Sequence, residues 1–286
     1  FQDFILPILL NTNCTGNGVE SIHIKLWEKS GIGNRGSFYD GVGALRDVGQ
    51  NHILQLLALF TMDNPKTFDA ESVRRNRAEI LKQTHKLEPE QIATHSIRGQ
   101  YDGYREEKRV DPQSKTETYF KIKTYINSPS WKNTAIYLES GKGMAENRVE
   151  VKVTFKHPEP CLCPVDESKH YKNVLHYEVQ PKEKMHITFW VKKPGPDMIL
   201  EEKTFSFDYK QAFEGMERSD AYERLLYNVI RGDQTLFVST EEILEGWKFV
   251  DPIVRAWREN ETPIMPYQKG SDDITETELP ADKDYN

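Results

Sequence analysis

Apolar residues recur at helical spacing in four segments of the chain. This spacing predicts helices at residues 40–62, 70–85, 220–231 and 240–260. Pro65 follows the first segment and stops it, since proline cannot continue a helix. Ser239 and Thr240, placed before Glu242, form a capping start for the last segment. These segments predict the helical layer of the domain.

The central part of the chain alternates between apolar and polar residues in short segments bounded by Gly, Pro, Asn or charged clusters. The segments are 119–126, 135–138, 149–155, 175–179, 185–191 and 203–207, with an earlier strand that ends near Glu28. Alternation of this kind is typical of an antiparallel sheet with one covered face. The predicted fold class is therefore α+β, with a large, mostly antiparallel sheet and helices packed on one face.

Composition narrows the function classes. The chain has 286 residues, of which 37% are hydrophobic, enough for one substantial core. No run approaches 18 apolar residues, so no spanning helix or other membrane association is expected. The net charge of −7 argues against a nucleic-acid surface. Any anion site must therefore rest on a few placed basic residues. From residue 271 the chain becomes acidic and poor in apolar residues, which predicts a domain at 1–270 and a mobile tail at 271–286.

Three cysteines offer no disulfide framework. Cys161 and Cys163 lie two apart between prolines, with His170 nearby, so a metal site was weighed against a loop with two thiols. The loop is favoured because too few further ligands are visible, and no metal is expected. Unpaired thiols indicate a reducing compartment, which favours the cytoplasm, with an organelle as the alternative.

The first predicted helix carries polar residues where a buried helix should have none. Residues 46–52 read Arg-Asp-Val-Gly-Gln-Asn-His. Burying Asp47, Asn51 and His52 without partners would cost several kcal/mol, so each needs a partner or a ligand. A histidine hydrogen-bonded within the core is the plainer alternative. In an α-helix, Asp47 and His52 would lie about 140° apart around the axis and roughly 7.5 Å apart along it.

These seven residues resemble the signature helix of glucose-6-phosphate dehydrogenases. Further blocks resemble the family in the same order, as far as about Gly270. They are the strand at 22–28, Phe-Tyr-Asp at 38–40, the strand and Gly-Lys loop at 137–142, Gln-Pro at 180–181, Lys-Lys-Pro-Gly at 192–195, Asp-Ala-Tyr-Glu-Arg-Leu-Leu at 220–226, Gly-Asp-Gln-Thr-Leu-Phe-Val at 232–238 and Trp-Lys-Phe-Val-Asp-Pro-Ile at 247–253.

The resemblance implies a catalytic histidine. Oxidation of a sugar hemiacetal removes a hydride from the anomeric carbon and a proton from its hydroxyl. Histidine suits that proton because its ordinary pKa lies near the working pH. His52 is the residue implied as the base. In the family, the aspartate that orients this histidine belongs to an Arg-Ile-Asp-His block, which these 286 residues lack.

The resemblance also implies the substrate contacts. Glu28 and Asp47 are expected to accept hydrogen bonds from ring hydroxyls, and Lys142 and Gln180 to contact the sugar phosphate. The family places a second basic group five residues beyond the lysine, where this chain has Asn147. Either a shift of one residue brings Arg148 into the phosphate subsite, or that subsite is weakened. Each of these residues has a plainer alternative as a surface side chain.

The family's cofactor domain is missing from the sequence. Gly31, Gly33 and Gly36 fit a Gly-x-Gly-x-x-Gly spacing, but they lead into the polar helix and do not belong to an early β-α-β unit. The chain is therefore expected to be the C-terminal domain alone, with NADP held mainly by the missing domain and no cofactor on this chain. His186 and Thr188 stand where a second, structural nucleotide site would need an aromatic residue and a lysine, so no such site is expected.

Two functions stay open. The first is the substrate-binding and dimerisation domain of an enzyme that oxidises glucose 6-phosphate to 6-phosphogluconolactone with NADP, inactive alone. The alternative is a naturally short, non-catalytic sugar-phosphate-binding or assembly protein. A homodimer through the sheet is expected in the first case, because Phe189, Phe205 and Phe207 exceed what one covered face can bury.

Overall fold

One sheet organises the part of the chain that this computed structural model describes, residues 18–157, 171–215, 221–259 and 262–279. Its nine strands are β1 (Val19–Glu28), β2 (Ser96–Tyr101), β3 (Tyr119–Thr124), β4 (Ala135–Lys142), β5 (Arg148–Phe155), β6 (Val174–Gln180), β7 (Lys184–Lys192), β8 (Leu200–Asp208) and β9 (Ile264–Tyr267). Their order is β8-β7-β6-β5-β1-β4-β3-β2-β9. Only β1 with β4 and β2 with β9 pair in parallel. The prediction of a mostly antiparallel sheet is confirmed.

The helices are α1 (Gly36–Tyr39), a π-helix (Leu45–Ile53), α2 (Leu54–Thr61), α3 (Ala70–Gln83), α4 (Pro89–His95), α5 (Tyr209–Ala212), α6 (Ala221–Arg231) and α7 (Thr240–Glu259). The π-helix, α2, α3, α4 and α7 cover one face of the sheet. Alternate side chains of the central strands, such as Ile24, Leu138 and Val151, meet Leu57 and Ile253 in the main core. None of the helices in the described ranges is both long and apolar enough to cross a membrane.

The start of α7 has the predicted cap. Glu242 N donates to Ser239 Oγ at 3.2 Å, and Ser239 N donates to Glu242 Oε1 at 2.9 Å. This reciprocal pair satisfies two backbone donors at the helix start. The Glu242 carboxylate also lies 3.0 Å from Arg77 Nε, with both side chains almost fully buried. The cap therefore joins α7 to α3 as well as starting the helix.

Strands β2 and β9 were not predicted from the pattern. All six residues of β2 are buried, including Arg98 and Gln100, so the strand shows no alternation. Gln100 Nε2 is satisfied there by the carbonyls of Ser114 and Thr116. Strand β9 contains a proline and lies at the edge of the sheet, where a missing N–H can be tolerated.

The predicted mobile tail is wrong for residues 271–279. Ile274 is only 4% exposed and packs in a second apolar cluster with Tyr267. Lys121 Nζ donates to the carbonyls of Thr275 and Thr277 at 2.9 and 3.1 Å. Ile274, Leu279 packed against the same cluster, and these backbone bonds anchor a segment whose composition is otherwise polar, so the domain extends beyond residue 270. Residues 280–286 lie outside the described ranges.

The face of the sheet opposite the helices carries paired ionisable groups. His23 Nε2 lies 2.7 Å from Glu139 Oε2, and His176 Nε2 lies 2.9 Å from Glu150 Oε2. Burial raises the pKa of Glu150, but the hydrogen bond and charge of His176, helped by Lys25 and Arg148, outweigh it and lower the pKa to about 2. These polar pairs lie on the same face as the second apolar cluster, which includes Trp27 and Tyr119.

Apolar side chains remain exposed at the β8 end of the sheet. The rings of Phe189 and Phe205 stack at 5.1 Å, and Phe205 and Phe207 are 65% and 40% exposed. Their strand neighbours include Ile187 and Met185, and Met185 packs against the main core. The phenylalanines thus project on the helix side of the sheet, beyond the helices' reach.

Candidate functional site

A large cavity lies where β1, β4 and β6 end. It has a volume of about 1030 Å³. Strand ends place Glu28, Lys142 and Gln180 at its wall because these three strands run in the same direction. The six residues singled out from the sequence all line it, namely Glu28, Asp47, His52, Lys142, Arg148 and Gln180. Arg35, Gln55 and Lys210 also line it and were not predicted.

The helix beside the cavity differs from the prediction. It begins at Leu45, because Gly41 and Gly43 adopt positive φ angles of 85° and 82° and keep residues 40–44 out of the helix. Its first two turns form a π-helix, in which Leu54 N bonds Gly49 O five residues back. Residues five apart lie about one turn apart in such a helix. Asp47 and His52 therefore face the same cavity, and the expected 140° separation is wrong.

Glu117 holds the start of this π-helix. Its backbone carbonyl accepts from Ala44 N at 3.0 Å, and its carboxylate accepts from Leu45 N at 3.2 Å. A side chain at Gly43 would collide with that carboxylate. Burial raises the pKa of Glu117 to about 7, against the opposing effect of its backbone hydrogen bonds and of Arg46 and Arg98. Glu117 thus fixes where the helix carrying Asp47 and His52 begins.

Close packing sets the depth of the same helix against the sheet. A Cβ added to Gly49 would lie 2.7 Å from Leu45 Cδ1 and 3.0 Å from Phe120 Cζ. Phe120 is fully buried on β3. Only glycine lets the helix approach the sheet this closely, so Gly49 helps to hold Asp47 within reach of the strand ends.

A cluster of paired charges forms the floor of the cavity. The Lys142 ammonium bonds Glu28 and lies 3.3 Å from Asp47 Oδ2. Asp47 Oδ1 also accepts from Arg35 Nη2 at 2.9 Å. Lys142 is only 3% exposed, and these carboxylates compensate its buried ammonium group. The cluster presents both hydrogen-bond acceptors and cations to a polar ligand.

His52 lies at the exposed side of the cavity. Its backbone N–H donates to Asn51 Oδ1, and Asn51 Nδ2 donates to Asp47 O at 3.1 Å. Within the described ranges, no hydrogen bond or ion pair of the His52 imidazole is found. The ring therefore faces the cavity with its nitrogens available to a ligand or to a neighbouring chain.

The far side of the cavity carries the remaining basic groups. Asn147 Oδ1 accepts a hydrogen bond from Lys29 N at 2.8 Å, so this side chain joins the residue before β5 to the residue after β1. Arg148 pairs with Glu146 and Glu150 and stacks over the Trp27 ring at 5.3 Å. Lys210 Nζ donates to Pro181 O at 2.8 Å. Its sequence signal was slight: a lysine two residues beyond the end of β8.

The Gly-x-Gly-x-x-Gly segment packs closely against another loop. A Cβ on Gly36 would collide with the carbonyl of Lys108, so the glycine allows this close backbone approach. His186 Nε2 lies 3.1 Å from His176 Nδ1, and Thr188 bonds Thr204 at 3.0 Å. Both side chains thus have partners within the sheet.

Within the described ranges, no three metal-ligating residues gather into a group that could hold a metal ion. Cys161, Cys163 and His170 lie outside those ranges.

Comparison with known proteins supports the sequence resemblance. The family profile described as "Glucose-6-phosphate dehydrogenase, C-terminal domain" matches residues 7–285. Glucose-6-phosphate 1-dehydrogenase of Chlamydia pneumoniae is 35% identical over 285 residues, covering 93% of this chain and 54% of that protein. The Mycolicibacterium smegmatis enzyme is 36% identical, covering 89% and 53%. The chain thus spans about half the length of the curated relatives it matches.

Solved structures agree. A glucose-6-phosphate dehydrogenase in complex with its substrate glucose 6-phosphate superposes with a TM-score of 0.84 at 26% identity, over 96% of this chain and 58% of that one. The Mycobacterium avium enzyme gives a TM-score of 0.79 at 29% identity, over 94% and 57%. The chain belongs to the family of glucose-6-phosphate dehydrogenase C-terminal domains.

Proposed function

We propose that this domain is the substrate-binding half of a glucose-6-phosphate dehydrogenase, which oxidises glucose 6-phosphate to 6-phosphogluconolactone with NADP. The observation that carries the proposal is the convergence of His52, Asp47, Glu28 and Lys142 on one cavity. A candidate base and candidate hydroxyl acceptors then face the same ligand. One solved relative of the same fold holds glucose 6-phosphate.

His52 serves as the general base in this proposal. The anomeric hydroxyl must lose its proton as the hydride leaves, and the His52 imidazole is the cavity group with a ring nitrogen that can accept that proton. Its exposed position and lack of a bonded partner within the described ranges leave its nitrogens accessible to that hydroxyl. A carboxylate from outside this chain would orient the ring.

The charge cluster provides the sugar contacts. Asp47 and Glu28 already bond cations, and ring hydroxyls would donate to their remaining lone pairs. Lys142 would meet the phosphate or a hydroxyl, with Gln180 beside it. Arg148 would join the phosphate subsite by turning from Glu146, its more exposed partner. Lys210 would be a further cation at the same wall.

NADP would be held by a domain that this chain does not contain. The nicotinamide accepts the hydride, while the residues of this chain bind and orient the sugar and take the proton. The engagement of His186 and Thr188 speaks against a second nucleotide site on this domain. The cysteine pattern supports the cytoplasm as the compartment.

A homodimer through the β8 end of the sheet belongs to the same proposal. Phe205 and Phe207 expose apolar surface there, and α6 exposes Leu226 and Ile230, at 63% and 84%. Exposed apolar patches of this kind mark association surfaces. A two-fold partner would cover the phenylalanines, while α6 is available to the partner or to a cofactor domain.

The alternative is a non-catalytic sugar-phosphate-binding protein. It is favoured by Asn147, which stands where the family has a basic group and whose side-chain oxygen accepts a hydrogen bond from Lys29 N. It is disfavoured by His52, because a binding protein has no need of a base at that wall.

The deciding experiment is an assay of nicotinamide reduction with glucose 6-phosphate. The 286-residue chain alone should show no turnover. The same chain, joined behind the preceding half of the Chlamydia pneumoniae relative, should reduce NADP, and His52→Ala should remove that activity. Turnover by the chain alone would contradict the proposal. A folded fusion that binds the sugar phosphate without reducing NADP would establish the non-catalytic alternative.

A further inference from the structure

A second cavity lies beside the start of the π-helix, where Arg46 and Glu117 line it. It has a volume of about 260 Å³. None of its lining residues lines the cavity that contains Glu28, Asp47, His52 and Lys142, called the sugar cavity below. The residues around it are Gly41, Val42, Arg46, Arg98, Lys115, Thr116, Glu117, Val254, Trp257 and Arg258. Neighbouring residues of the helix divide between the two cavities, since Arg46 lines this one and Asp47 lines the other.

Three guanidinium groups converge on this cavity. Arg46 Nε donates to Val42 O at 2.7 Å, and Arg258 Nη2 donates to Gly41 O at 3.2 Å. Arg98, only 5% exposed, donates from Nε to Thr262 O at 2.8 Å. Backbone carbonyls thus fix the orientation of all three groups, but they carry no net charge.

The charges that line the cavity do not balance. Three arginines contribute +3 and Glu117, whose pKa is about 7, contributes at most −1, which leaves at least +2 before Lys115 is counted. No described carboxylate forms a salt bridge with Arg46 or Arg258. The charge of Asp251 also attracts Arg46, but Asp251 is exposed to solvent and does not line the cavity. Cations held together in a half-enclosed space are stabilised by an anion, and guanidinium groups match phosphate oxygens in geometry.

We propose that this second cavity binds the phosphate group of a small anion, through Arg46, Arg98 and Arg258. A phosphate dianion would neutralise the excess of +2. Val42, Val254 and Trp257 form an apolar wall beside the arginines, so the cavity also has room for the carbon skeleton of a phosphate ester. Because Arg46 is next to Asp47, an occupant here would contact the same helix that carries the proposed sugar-binding and catalytic residues.

The test uses two tryptophan reporters in the 286-residue chain. Trp257 lines this cavity, and its indole N–H donates to Ser96 Oγ at 2.9 Å. Trp27 lines the sugar cavity, and its indole N–H donates to Glu139 Oε1 at 3.0 Å. In ¹⁵N-labelled protein, inorganic phosphate should shift the Trp257 indole signal in a saturable way. Chloride at matched ionic strength should leave that signal in place. A matching titration with glycerol 3-phosphate shows whether the free ion or an ester binds more tightly.

Two variants and one control make the result specific. Arg258→Ala should weaken phosphate binding at Trp257 by about tenfold or more, the loss expected for one charge-assisted hydrogen bond. Glu117→Gln should tighten it, because the change removes the opposing charge and keeps an oxygen for Leu45 N. Arg255→Ala removes the same charge from the preceding turn of α7, outside this cavity, and should leave binding unchanged.

The Trp27 signal reports separately on the sugar cavity, so failure of the proposed enzyme function would not be mistaken for failure here. No saturable shift at Trp257, or equal weakening by Arg255→Ala and Arg258→Ala, would overturn the proposal.

Discussion

Lys142 and Asp47 lie 3.3 Å apart, between the ammonium and Oδ2, and join the end of β4 to the π-helix. Lys142 is also bonded to Glu28, and Asp47 to Arg35, so two cations and two carboxylates balance at the floor of the cavity. The arrangement gives a nearly buried lysine a carboxylate partner on each of two neighbouring elements. It also means that a sugar phosphate would enter a cluster that is already organised.

Removing the lysine should therefore affect both folding and binding. Lys142→Met leaves Glu28 and Asp47 facing each other, and breaking a buried pair costs about 3 kcal/mol. Because Glu28 is partly exposed, we expect about 2 kcal/mol less unfolding free energy in urea, together with loss of sugar-phosphate binding. Lys152→Met, an exposed lysine on β5, should change neither. Unchanged stability in Lys142→Met would show that the ion cluster contributes little.

His52→Ala, in an enzyme that joins this domain to a cofactor domain, should lower kcat by roughly two to four orders of magnitude, the usual loss for a general base. KM should change far less, because a base acts mainly in the transition state. Gln55→Ala serves as the control, since Gln55 lines the same cavity and cannot take a proton. Retained turnover with lowered stability would assign His52 to the fold instead.

Glu117 should make stability depend on pH. Its pKa is about 7 in the folded chain, against an ordinary value of 4.5, so the folded state holds the proton longer than the unfolded state. Stability from this group is complete below pH 4.5 and falls as the pH rises to 7, by up to about 3 kcal/mol. Urea unfolding of Glu117→Gln should lack that part of the slope. An identical slope in both proteins would contradict the assignment.

The sequence predicted the cavity's residues better than their geometry. Alternation placed Glu28 at a strand end, the family resemblance singled out Lys142 in a loop and Gln180, and the polar run at 46–52 placed Asp47 and His52 on one helix. It did not reveal the π-helix, because its formation depends on tertiary contacts. These are the Glu117 carboxylate at its start and the fit of Gly49 against Phe120.

The missed strands and the tail have a similar cause. Arg98 and Gln100 are buried polar residues whose partners come from distant loops, so β2 carries no local strand signal. Ile274 anchors an acidic segment by packing in the second apolar cluster. Local periodicity cannot show either, because each depends on residues far away in the sequence.

Association should depend on the β8 end of the sheet. Light scattering at micromolar concentration should give a dimer, and Phe205→Lys should give a monomer because a charge would enter the apolar contact. Phe68→Lys changes a similarly exposed phenylalanine elsewhere and should leave the dimer intact. A monomeric wild-type protein would count against the homodimer.

Titration of the ¹⁵N-labelled 286-residue chain with glucose 6-phosphate tests the central claim most directly. Binding should be millimolar or weaker, because contacts from the missing domain are absent and each charge-assisted hydrogen bond is worth about 1.5–3 kcal/mol. Amide shifts should concentrate at residues 45–52 and 142–148, with the Trp27 indole, and Asp47→Asn should abolish them. Shifts elsewhere, or shifts that survive Asp47→Asn, would contradict the assignment of this cavity to the sugar phosphate.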